Sequence, residues 1–416
     1  MSGRPPILEV ATALVRSLQE HGHVAYFAGG CVRDRLLGIE PAEYDIATDA
    51  VPDKLKTLFP GSHLVGESFG VVLVRSRGHT FDIATFRSEG AYSDHRHPDE
   101  VTFCDAEEDS RRRDFTINGI FYDPIECTHI DYHGGRADLE NRLLRSIGVA
   151  RDRFEEDHLR MLRAVRFASR FGLVIDPETR DAIASNAGEL KGVSRERIGN
   201  EIRRMAIEGD WAAAVQSMSE LGLEEAVLGS ATADADWIRC RHLQAASVAA
   251  AERHQASIAA WLLDRSRSGD GESLETAHLD EIGDRLVSSN NDRLRLADII
   301  GIHGILEDSW GDLSVSSQKR LAVRHGFESA TVLVEAVDSA RAGRIRMRVQ
   351  ELSETGLQPE PLLGGHDLIQ LGLKPGPHFS RMLDQVYDAQ LEGRIGQRGE
   401  ALELAGRLAD EIDSES

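Results

Sequence analysis

The chain has 416 residues, of which 41% are apolar and 28% are charged, and this length can bury the cores of about two to four domains. The formal net charge of −22 excludes a protein that is basic over its whole surface. No apolar stretch approaches the ~20 residues of a membrane span, and the first residues lack the layout of a signal peptide. The four cysteines lie far apart without a CxxC pair, so we expect a protein of the reducing cytoplasm with no membrane partner.

Short strand and helix patterns alternate up to about residue 145. Apolar runs at 24–29 and 44–48 predict two strands. Helices are predicted at 31–38, where a glycine ends the pattern, and at 51–59, where a proline stands in the first turn. Two β-rich runs around a polar turn predict a hairpin at 70–86.

From about residue 152 the apolar residues recur with the 3.6-residue period of a helix, and this pattern continues through most of the remaining chain. The expected fold class is therefore α+β, with a small mixed-sheet head followed by an all-helical remainder. Polar residues at 264–273 predict a loop, and those at 354–367 predict a linker. Arginine clusters at 110–115, 195–204 and 341–348 could contact a nucleic acid, although each cluster alone is more typical of a solvated helix face.

Two glycines, Gly29 and Gly30, separate the first predicted strand from the helix that follows it. Glycine lets backbone amides approach a phosphate closely, and the N-terminal end of a helix favours negative charge. A strand, two glycines and a helix therefore form a candidate anion site. The same pattern is as often a tight packing turn.

Two carboxylates, Glu43 and Asp45, stand two residues apart where the second predicted strand begins, so we expect their side chains on one face. They repel each other unless a cation neutralises them, and Mg²⁺ prefers a few carboxylates together with phosphate oxygens. Two such ions could activate a hydroxyl and stabilise a pyrophosphate leaving group. Asp82 lies in an apolar run, is expected to be buried, and is the candidate third carboxylate. The structural alternatives are a solvated strand edge and, for Asp82, a hydrogen bond to a turn.

Adjacent arginines precede a β-branched and aromatic stretch at 115–122. Arg113 could place its guanidinium on triphosphate oxygens, because that group binds phosphate through two parallel hydrogen bonds. Asp114 and Asn118 could anchor this segment. A solvated turn with structural ion pairs is an equal alternative for the segment taken alone.

These segments together resemble the class II CCA-adding enzymes and bacterial poly(A) polymerases, a tRNA nucleotidyltransferase family of the polymerase-β-like superfamily. The motifs that carry the resemblance stand in the family's order: GGCVRD, EYDIAT, RRDFTIN, RFEEDHLRMLRAVRFASRFG and GVSRERIGNEIRRM. The resemblance implies four parts: a catalytic nucleotidyltransferase head at 1–150, a nucleotide-selecting helical neck at 151–210, a helical body at 211–360 and a tRNA-binding helical tail at 361–416.

The fourth motif places Asp157, Arg160, Arg163 and Arg166 at every third position of a predicted helix, so that successive members are neighbours. A carboxylate only accepts hydrogen bonds, and a guanidinium only donates them. Cytosine and adenine each present an exocyclic amine beside a ring acceptor, an edge that an Asp157–Arg160 pair can meet. The resemblance implies that these side chains select CTP or ATP without a nucleic-acid template. Without the other motifs, an exposed charged helix face would be the preferred interpretation.

The implied reaction adds C, C and A to the 3′ end of tRNA: the terminal hydroxyl attacks the α-phosphate of CTP or ATP, and pyrophosphate leaves. The implied partners are tRNA, CTP and ATP, and the implied cofactor is Mg²⁺ in a two-metal site. The implied catalytic residues are Glu43, Asp45 and Asp82, of which the first two hold the metal. The implied nucleotide-binding residues are Gly29, Gly30, Arg33, Arg113, Asp157, Arg160, Arg163 and Arg166.

Two further segments bear on the substrate and the product: a loop that favours complete CCA addition or A addition, and a tail that favours tRNA as the substrate. Residues 86–103 resemble the family's flexible loop, which is thought to help the pocket switch from C to A, and Arg96 is the residue suspected there. Residues 364–393 resemble the tail that grips the tRNA elbow. The alternatives are a poly(A) polymerase or A-adding partial enzyme and, as a non-enzyme, an RNA-binding protein of the same fold.

One departure from the family pattern lies on the carboxylate strand. The family usually has Asp-x-Asp, whereas this chain has Glu43-x-Asp45. Because glutamate is one methylene longer, the metal spacing, the metal preference or the activity itself could differ.

Overall fold

The computed structural model describes residues 5–65, 70–90, 101–231, 235–268 and 276–415. The chain divides into two compact units, one formed by Met1–Thr232 with Arg285–Val287 and the other by Ala233–Asp284 with Ser288–Ser416. The finer division into head, neck, body and tail stays a prediction.

The first unit carries the strands, most of which form one mixed sheet. They are β1 (Ala25–Ala28), β2 (Ile46–Thr48), β3 (His63–Val65), β4 (Val71–Ser76), β5 (His79–Thr85), β6 (Arg87–Glu89), β7 (Val101–Phe103), β8 (Phe121–Asp123), β9 (Thr128–Ile130), β10 (Leu143–Leu144) and β11 (Val174–Ile175). Seven of them form a sheet in the order β3-β4-β5-β2-β1-β8-β9. In this sheet β2 runs parallel to β5, and the other neighbours are antiparallel. β6 pairs with β7, and β10 pairs with β11.

Five helices accompany the sheet: α1 (Ile7–Glu20), α2 (Gly30–Leu36), α3 (Pro52–Leu58), α4 (Ala106–Arg111) and α5 (Gly135–Glu140). α1 packs across β1, β2 and β5, with Val10, Leu14 and Leu18 buried at helical spacing. The strands contribute the fully buried Phe27 and Ile83 to the core of the first unit. Each such side chain stabilises the fold by about 1.5–3 kcal/mol, so the sheet is a rigid base for the turns at its edge.

The parallel pairing of β2 and β5 brings two acidic residues together. Ile46 lies opposite Ile83 in register, so Asp45 and Asp82, which directly precede them, enter the pair side by side. Phe81 and Ile83 are buried, and the intervening Asp82 is exposed on the other face. The prediction of a buried Asp82 was therefore wrong, because strand alternation assigns the apolar neighbours to the core.

Six helices continue the first unit: α6 (Ala150–Glu156), α7 (Leu159–Phe171), α8 (Pro177–Asn186), α9 (Arg195–Glu208), α10 (Trp211–Glu220) and α11 (Glu224–Leu228). α7 packs against α9 and α10, with Leu162 and Val165 fully buried. Gly199 allows α9 an unusually close backbone approach, because a Cβ there would lie 2.2 Å from the carbonyl oxygen of Leu286.

Among the described residues of the second unit, all regular secondary structure is helical. Its helices are α12 (Ile238–Ala245), α13 (Arg253–Ser268), α14 (Thr276–Arg285), whose last residue belongs to the first unit, α15 (Asn290–Asp308), α16 (Val315–Ala322), α17 (Phe327–Glu335), α18 (Ser339–Ser353), α19 (Gly365–Gln370), α20 (Pro377–Leu391) and α21 (Arg398–Glu415). Trp261 is fully buried in α13, and Leu368, Met382 and Val386 form a separate core of α19 to α21. Among the residues that the structure describes, no helix is both long and apolar enough to cross a membrane.

The predicted α+β class is confirmed, and so is the hairpin. Arg77 and Gly78 form its turn with φ of 46° and 86°, the geometry of a type I′ turn. The predicted loop at 264–273 was wrong over its first residues, because α13 continues to Ser268 and Asp264 is buried against α12. The rest of that stretch, 269–275, lies outside the described residues. Residues 354–364 of the predicted linker form no helix or strand, whereas its last residues, 365–367, already belong to α19.

Candidate active site

The first unit contains a cavity of about 470 Å³ lined by residues of α2, α7 and α9 and of the loops beside the sheet. Nine arginines and four acidic residues line it, in a chain whose net charge is −22. A concave site with excess positive charge concentrates anions such as triphosphates. The lining residues are Gly29, Gly30, Arg33, Asp45, Glu89, Arg112, Arg113, Asp114, Asn118, Asp157, Leu159, Arg160, Arg163, Arg166, Phe167, Arg170, Arg197 and Arg204.

All eight residues that the sequence suggested for nucleotide binding line this cavity, and Asp45 lines it too. Glu43 and Asp82 are not among its lining residues. Arg96 lies outside the described residues. The structure thus gathers residues from distant parts of the first unit, while their individual roles stay predictions.

Gly29 and Gly30 form the turn between β1 and α2. Gly29 has φ of 67°, and a Cβ at this position would lie 3.0 Å from Nη1 of Arg113. A larger residue would therefore be strained and would also displace that guanidinium. Gly30 has more room, since its Cβ would meet only Nη2 of Arg33 at 3.6 Å. The glycine pair is thus a tight turn that also leaves space for an arginine of the cavity.

Arg33 is buried, and protein groups engage its donors. Its Nη1 donates to Oδ1 of Asn118 at 2.6 Å, and its Nε and Nη2 donate to Oδ1 of Asp34 at 2.9 and 2.6 Å. Its guanidinium lies 4.5 Å from the ring centroid of Phe171 and 5.0 Å from that of Phe167. Burial lowers the pKa of Arg33. Arg33 therefore holds α2 against α7 and shapes one wall of the cavity.

The three carboxylates form an electrostatic cluster at the rim of the cavity. Glu43 and Asp45 are exposed on either side of the buried Tyr44, which agrees with the predicted common face, although β2 begins only at Ile46. Protein atoms surround much of Asp45, although solvent still reaches its side chain. This partial burial, together with the charges of Asp82 and Glu43, raises the pKa of Asp45 to about 6. The charge of Arg113 opposes that rise. Such a cluster lacks positive charge, which a divalent cation would supply.

The donor set of this cluster suits Mg²⁺, because all its side-chain ligands would be carboxylate oxygens. Within the described ranges, no three His, Cys, Asp or Glu residues lie close enough to enclose a metal ion by themselves. The fit is therefore to an ion held by one or two carboxylates and completed by substrate phosphate oxygens and water, the usual coordination of Mg²⁺ in phosphoryl-transfer sites.

Asp114 and Asn118 anchor the segment after α4, as the sequence suggested. Oδ1 of Asp114 accepts hydrogen bonds from the backbone of Phe115 at 2.8 Å and from Nδ2 of Asn118 at 2.9 Å. Its Oδ2 accepts two from Arg163 of α7. Burial raises the pKa of Asp114, but the charge of Arg163 and the hydrogen bonds outweigh it and hold that pKa at about 2. The segment is thereby fixed to both α2 and α7.

Asp157 and Arg160 line the same cavity, but they do not pair with each other through their side chains. Asp157 lies between α6 and α7 with an extended backbone, and its carboxylate accepts from the Leu159 amide at 3.1 Å and from Nη2 of Arg197 at 2.7 Å. Arg160 donates to Glu156 instead. The prediction of one helical row that begins at Asp157 was wrong, because the helix is broken at that residue.

Arg166 is the most deeply buried arginine of the predicted set, with only 1% of its surface exposed. Its Nε donates to Oε2 of Glu201 at 2.6 Å, and its guanidinium lies 4.2 Å from the ring centroid of Phe167. Burial lowers the pKa of Arg166, and the charge of Glu201 opposes that effect. Arg166 therefore joins α7 to α9 beneath the cavity.

Several lining residues were not among the predicted site residues: Glu89, Arg112, Phe167, Arg170, Arg197 and Arg204. The arginine clusters at 110–115 and 195–204 gave a signal for three of them, which a solvated helix face explained equally well. Phe167 and Arg170 lie in the fourth motif but were not assigned to nucleotide binding, and Glu89 gave no signal, because only the tertiary fold brings it to the cavity.

Two family models match the chain. Residues 25–145 match the model described as the poly A polymerase head domain. Residues 172–233 match the model described as a probable RNA and SrmB-binding site of polymerase A. These matches cover the mixed sheet and the helices that follow α7.

A CCA-adding enzyme of Geobacillus thermodenitrificans is 43% identical over 238 residues, which are 57% of this chain and 58% of that relative. This match thus spans little more than half of the relative's length. A CCA-adding enzyme of Levilactobacillus brevis is 31% identical over 409 residues, which are 96% of this chain and 98% of that relative. The chain belongs to the CCA-adding enzyme family. The resemblance inferred from the motifs is thereby confirmed.

Solved structures of CCA-adding enzymes share the fold. The crystal structure of the Bacillus stearothermophilus enzyme in complex with CTP has a TM-score of 0.78 and 28% identity, and the match covers 99% of this chain and 100% of that one. A Thermotoga maritima CCA-adding enzyme complexed with tRNA has a TM-score of 0.71 and 21% identity over 97% of this chain and 96% of that one. The described residues of this chain therefore share the fold of the CCA-adding enzymes.

Proposed function

We propose that this protein is a template-independent tRNA nucleotidyltransferase that adds C, C and A to the tRNA 3′ end from CTP and ATP, with release of pyrophosphate. The observation that carries the proposal is one cavity whose lining includes both Asp45, at the carboxylate cluster, and the pair Asp157 and Arg160. A nucleotide can lie between them with its triphosphate at the first end and its base at the second. We place this reaction in the cytoplasm.

At the triphosphate end, Gly29 leaves room for Arg113, whose guanidinium faces the site beside Asp45. Arg113 attracts the phosphates and orients them toward the carboxylates. Mg²⁺ held by Glu43 and Asp45 would lower the pKa of the attacking 3′-hydroxyl and neutralise charge on the pyrophosphate. Asp82, in register beside Asp45, is placed to orient that hydroxyl.

At the base end, Asp157 offers a hydrogen-bond acceptor and Arg160 offers donors. Different neighbours hold each of the two side chains in place. Arg197 and the Leu159 amide fix the Asp157 carboxylate. Glu156 and the carbonyl of Arg112 fix the Arg160 guanidinium. The exocyclic amine of cytosine or adenine donates to Asp157, and the adjacent ring nitrogen accepts from Arg160. Uracil and guanine present a carbonyl where the carboxylate requires a donor, so they are rejected.

The test is incorporation into a tRNA transcript that ends before CCA, with Mg²⁺ and with CTP or ATP, separately and together, read at single-nucleotide resolution. We expect two additions with CTP alone and three, with no more, when both nucleotides are present. A long A tail would identify a poly(A) polymerase, and a single A only on tRNA that already ends in CC would identify an A-adding enzyme. No incorporation with Mg²⁺ or Mn²⁺ would contradict the enzymatic proposal.

Two substitutions make this test sharper. Glu43→Asp restores the more usual Asp-x-Asp spacing, and we expect it to keep the pattern of additions while changing the relative rates with Mg²⁺ and Mn²⁺. Asp49→Asn is the matched control, since Asp49 is exposed and its carboxylate binds His23 and the Val24 amide outside the cavity. It should leave both rates unchanged.

A further inference from the structure

Asp109 of α4 is a buried carboxylate, 1% exposed, that does not line the cavity but holds two neighbouring arginines that do. Its Oδ1 accepts from Nε of Arg112 at 2.9 Å and from the Arg87 amide at 3.2 Å. Its Oδ2 accepts from Nε and Nη2 of Arg113 at 3.2 and 3.0 Å. The two guanidinium groups repel each other, and one carboxylate between them both neutralises and orients them.

The first arginine held in this way, Arg113, lies at the triphosphate end of the cavity. Its Nη1 donates to the carbonyl of Asn118 at 3.3 Å and lies next to the space that Gly29 leaves open. Its guanidinium lies 4.9 Å from the ring centroid of Phe121, and its charge reaches Asp45. Asp109 thus binds the Nε–Nη2 edge of the guanidinium and leaves Nη1 beside the Gly29 turn.

The second arginine, Arg112, acts at the base end. Its carbonyl accepts from Nη2 of Arg160 at 3.2 Å. The guanidinium of Arg112 binds acidic side chains: its Nε donates to Asp109, and its Nη1 donates to Glu89 of β6 at 3.1 Å. The backbone that supports Arg160 is therefore fixed through the side chain of Arg112, and Asp109 is one of the groups that anchor this side chain.

We propose that Asp109 is a positioning residue for the nucleotide: without touching the substrate, it sets Arg113 at the triphosphate end and, through Arg112, sets Arg160 at the base end. This inference rests on the proposed function for the identity of the two ends. Because a displacement of a binding group by about 1 Å can cost about 10²-fold in rate, a single buried carboxylate that fixes both ends has a measurable effect.

The test compares Asp109→Asn with Glu108→Gln, an exposed residue of the same helix, by steady-state incorporation on tRNA that lacks CCA and by calorimetric binding of CTP. Asp109→Asn removes the charge and keeps the size. We expect the KM for both CTP and ATP to rise about tenfold or more, and the ratio of kcat/KM for CTP over UTP to fall. Glu108→Gln should match the parent in each measurement.

A double-substitution cycle separates positioning from a general structural role. Arg113→Ala should raise the KM with little effect on the CTP-over-UTP ratio, since Arg160 is untouched. Adding Asp109→Asn to it should raise the KM little further but still lower that ratio. KM effects that simply multiply in the double variant, or a parent-like KM and ratio in Asp109→Asn, would overturn the proposal.

If Asp109→Asn does not fold, Asp109→Glu keeps the charge while its extra methylene displaces both guanidinium groups. A folded Asp109→Glu protein with the parent KM and ratio would equally overturn the proposal. Calorimetric binding of CTP keeps the two hypotheses distinguishable. A parent protein that binds CTP but adds no nucleotide contradicts the proposed function, whereas equal CTP affinity in parent and Asp109→Asn contradicts the role of Asp109.

Discussion

Arg163 of α7 and Asp114, the residue that ends the arginine cluster, are joined by two hydrogen bonds to one carboxylate oxygen, Nη2–Oδ2 at 2.6 Å and Nε–Oδ2 at 2.9 Å. Asp114 is buried, and Arg163 is partly exposed at the cavity. This pair connects the segment next to the sheet to the helix that carries Arg160. The geometry of the cavity therefore depends on an ion pair between residues distant in sequence.

Replacing Asp114 by Asn should lower the free energy of unfolding by about 2 kcal/mol at pH 7, because Arg163 loses its buried partner. The folded pKa of Asp114 is about 2, below its ordinary 3.8. The contribution of Asp114 to the free energy of unfolding is therefore present above about pH 4 and is lost as the pH falls toward 2. The stabilities of the parent and the variant should converge in acid. Urea unfolding at pH 7 and pH 3 measures both effects. Glu225→Gln, at an exposed ion pair with Lys191, should leave the midpoint unchanged.

Gly29→Ala should weaken CTP binding by about tenfold or more, while Gly30→Ala should bind CTP almost as the parent does. The new Cβ at Gly29 would be strained at φ of 67° and would displace Arg113, at a cost of about 1–2 kcal/mol. At Gly30 the Cβ finds ordinary contact distance. Calorimetric titration of both variants with CTP measures the difference. Equal affinities would show that Arg113 does not bind the triphosphate from this position.

Asp45→Asn should reduce nucleotide incorporation on the order of 10²-fold or more, because it removes a carboxylate that we propose as a metal ligand. The fold should be kept, since Asp45 is exposed and its replacement relieves repulsion from Asp82 and Glu43. Single-turnover incorporation and circular dichroism test both statements. Incorporation at the parent rate in a folded Asp45→Asn protein would remove this residue from the mechanism.

The second unit should lose stability on mild acidification through His303 of α15. This imidazole is 2% exposed, its Nε2 has no hydrogen-bond partner, and burial together with the charge of Arg239 lowers its pKa from 6.5 to about 3. Two acidic residues lie nearby but do not reverse the lowering of the His303 pKa. Asp264 and Glu307 each bind Arg239, and Glu307 lies 3.7 Å from Nε2 of His303.

The pKa of His303 is lower in the folded protein than in the unfolded protein. Its contribution to the free energy of unfolding is therefore fully present above about pH 6.5 and is lost as the pH falls toward 3. The loss is about 1.4 kcal/mol per pH unit below the unfolded pKa. His303→Gln should therefore make the fall in stability between pH 7 and pH 5 shallower, as followed by urea unfolding. Exposed His366→Gln is the control and should keep the parent slope. An unchanged slope in His303→Gln would contradict the prediction.

Local sequence patterns were sufficient to predict the structure wherever neighbouring residues decide it. The hairpin follows from two β-rich runs around a polar turn, and α3 follows from the pattern at 51–59 with a proline in its first turn. The order of the motifs was sufficient to identify the family. The loop expected at 264–273 failed in its first part because Asp264 is a buried tertiary partner of α12, which composition does not reveal.

The sequence by itself determined the α+β class, the glycine turn at Gly29 and the residue types that the candidate site contains, because these depend on backbone conformation, periodicity and motif order. Only the tertiary structure decided which charges meet. It exposed Asp82, separated Asp157 from Arg160, and placed Asp109 beneath two arginines of the cavity. The physical reason is that a buried charge takes the partner that packing brings within reach, and spacing along one helix or strand does not specify that partner.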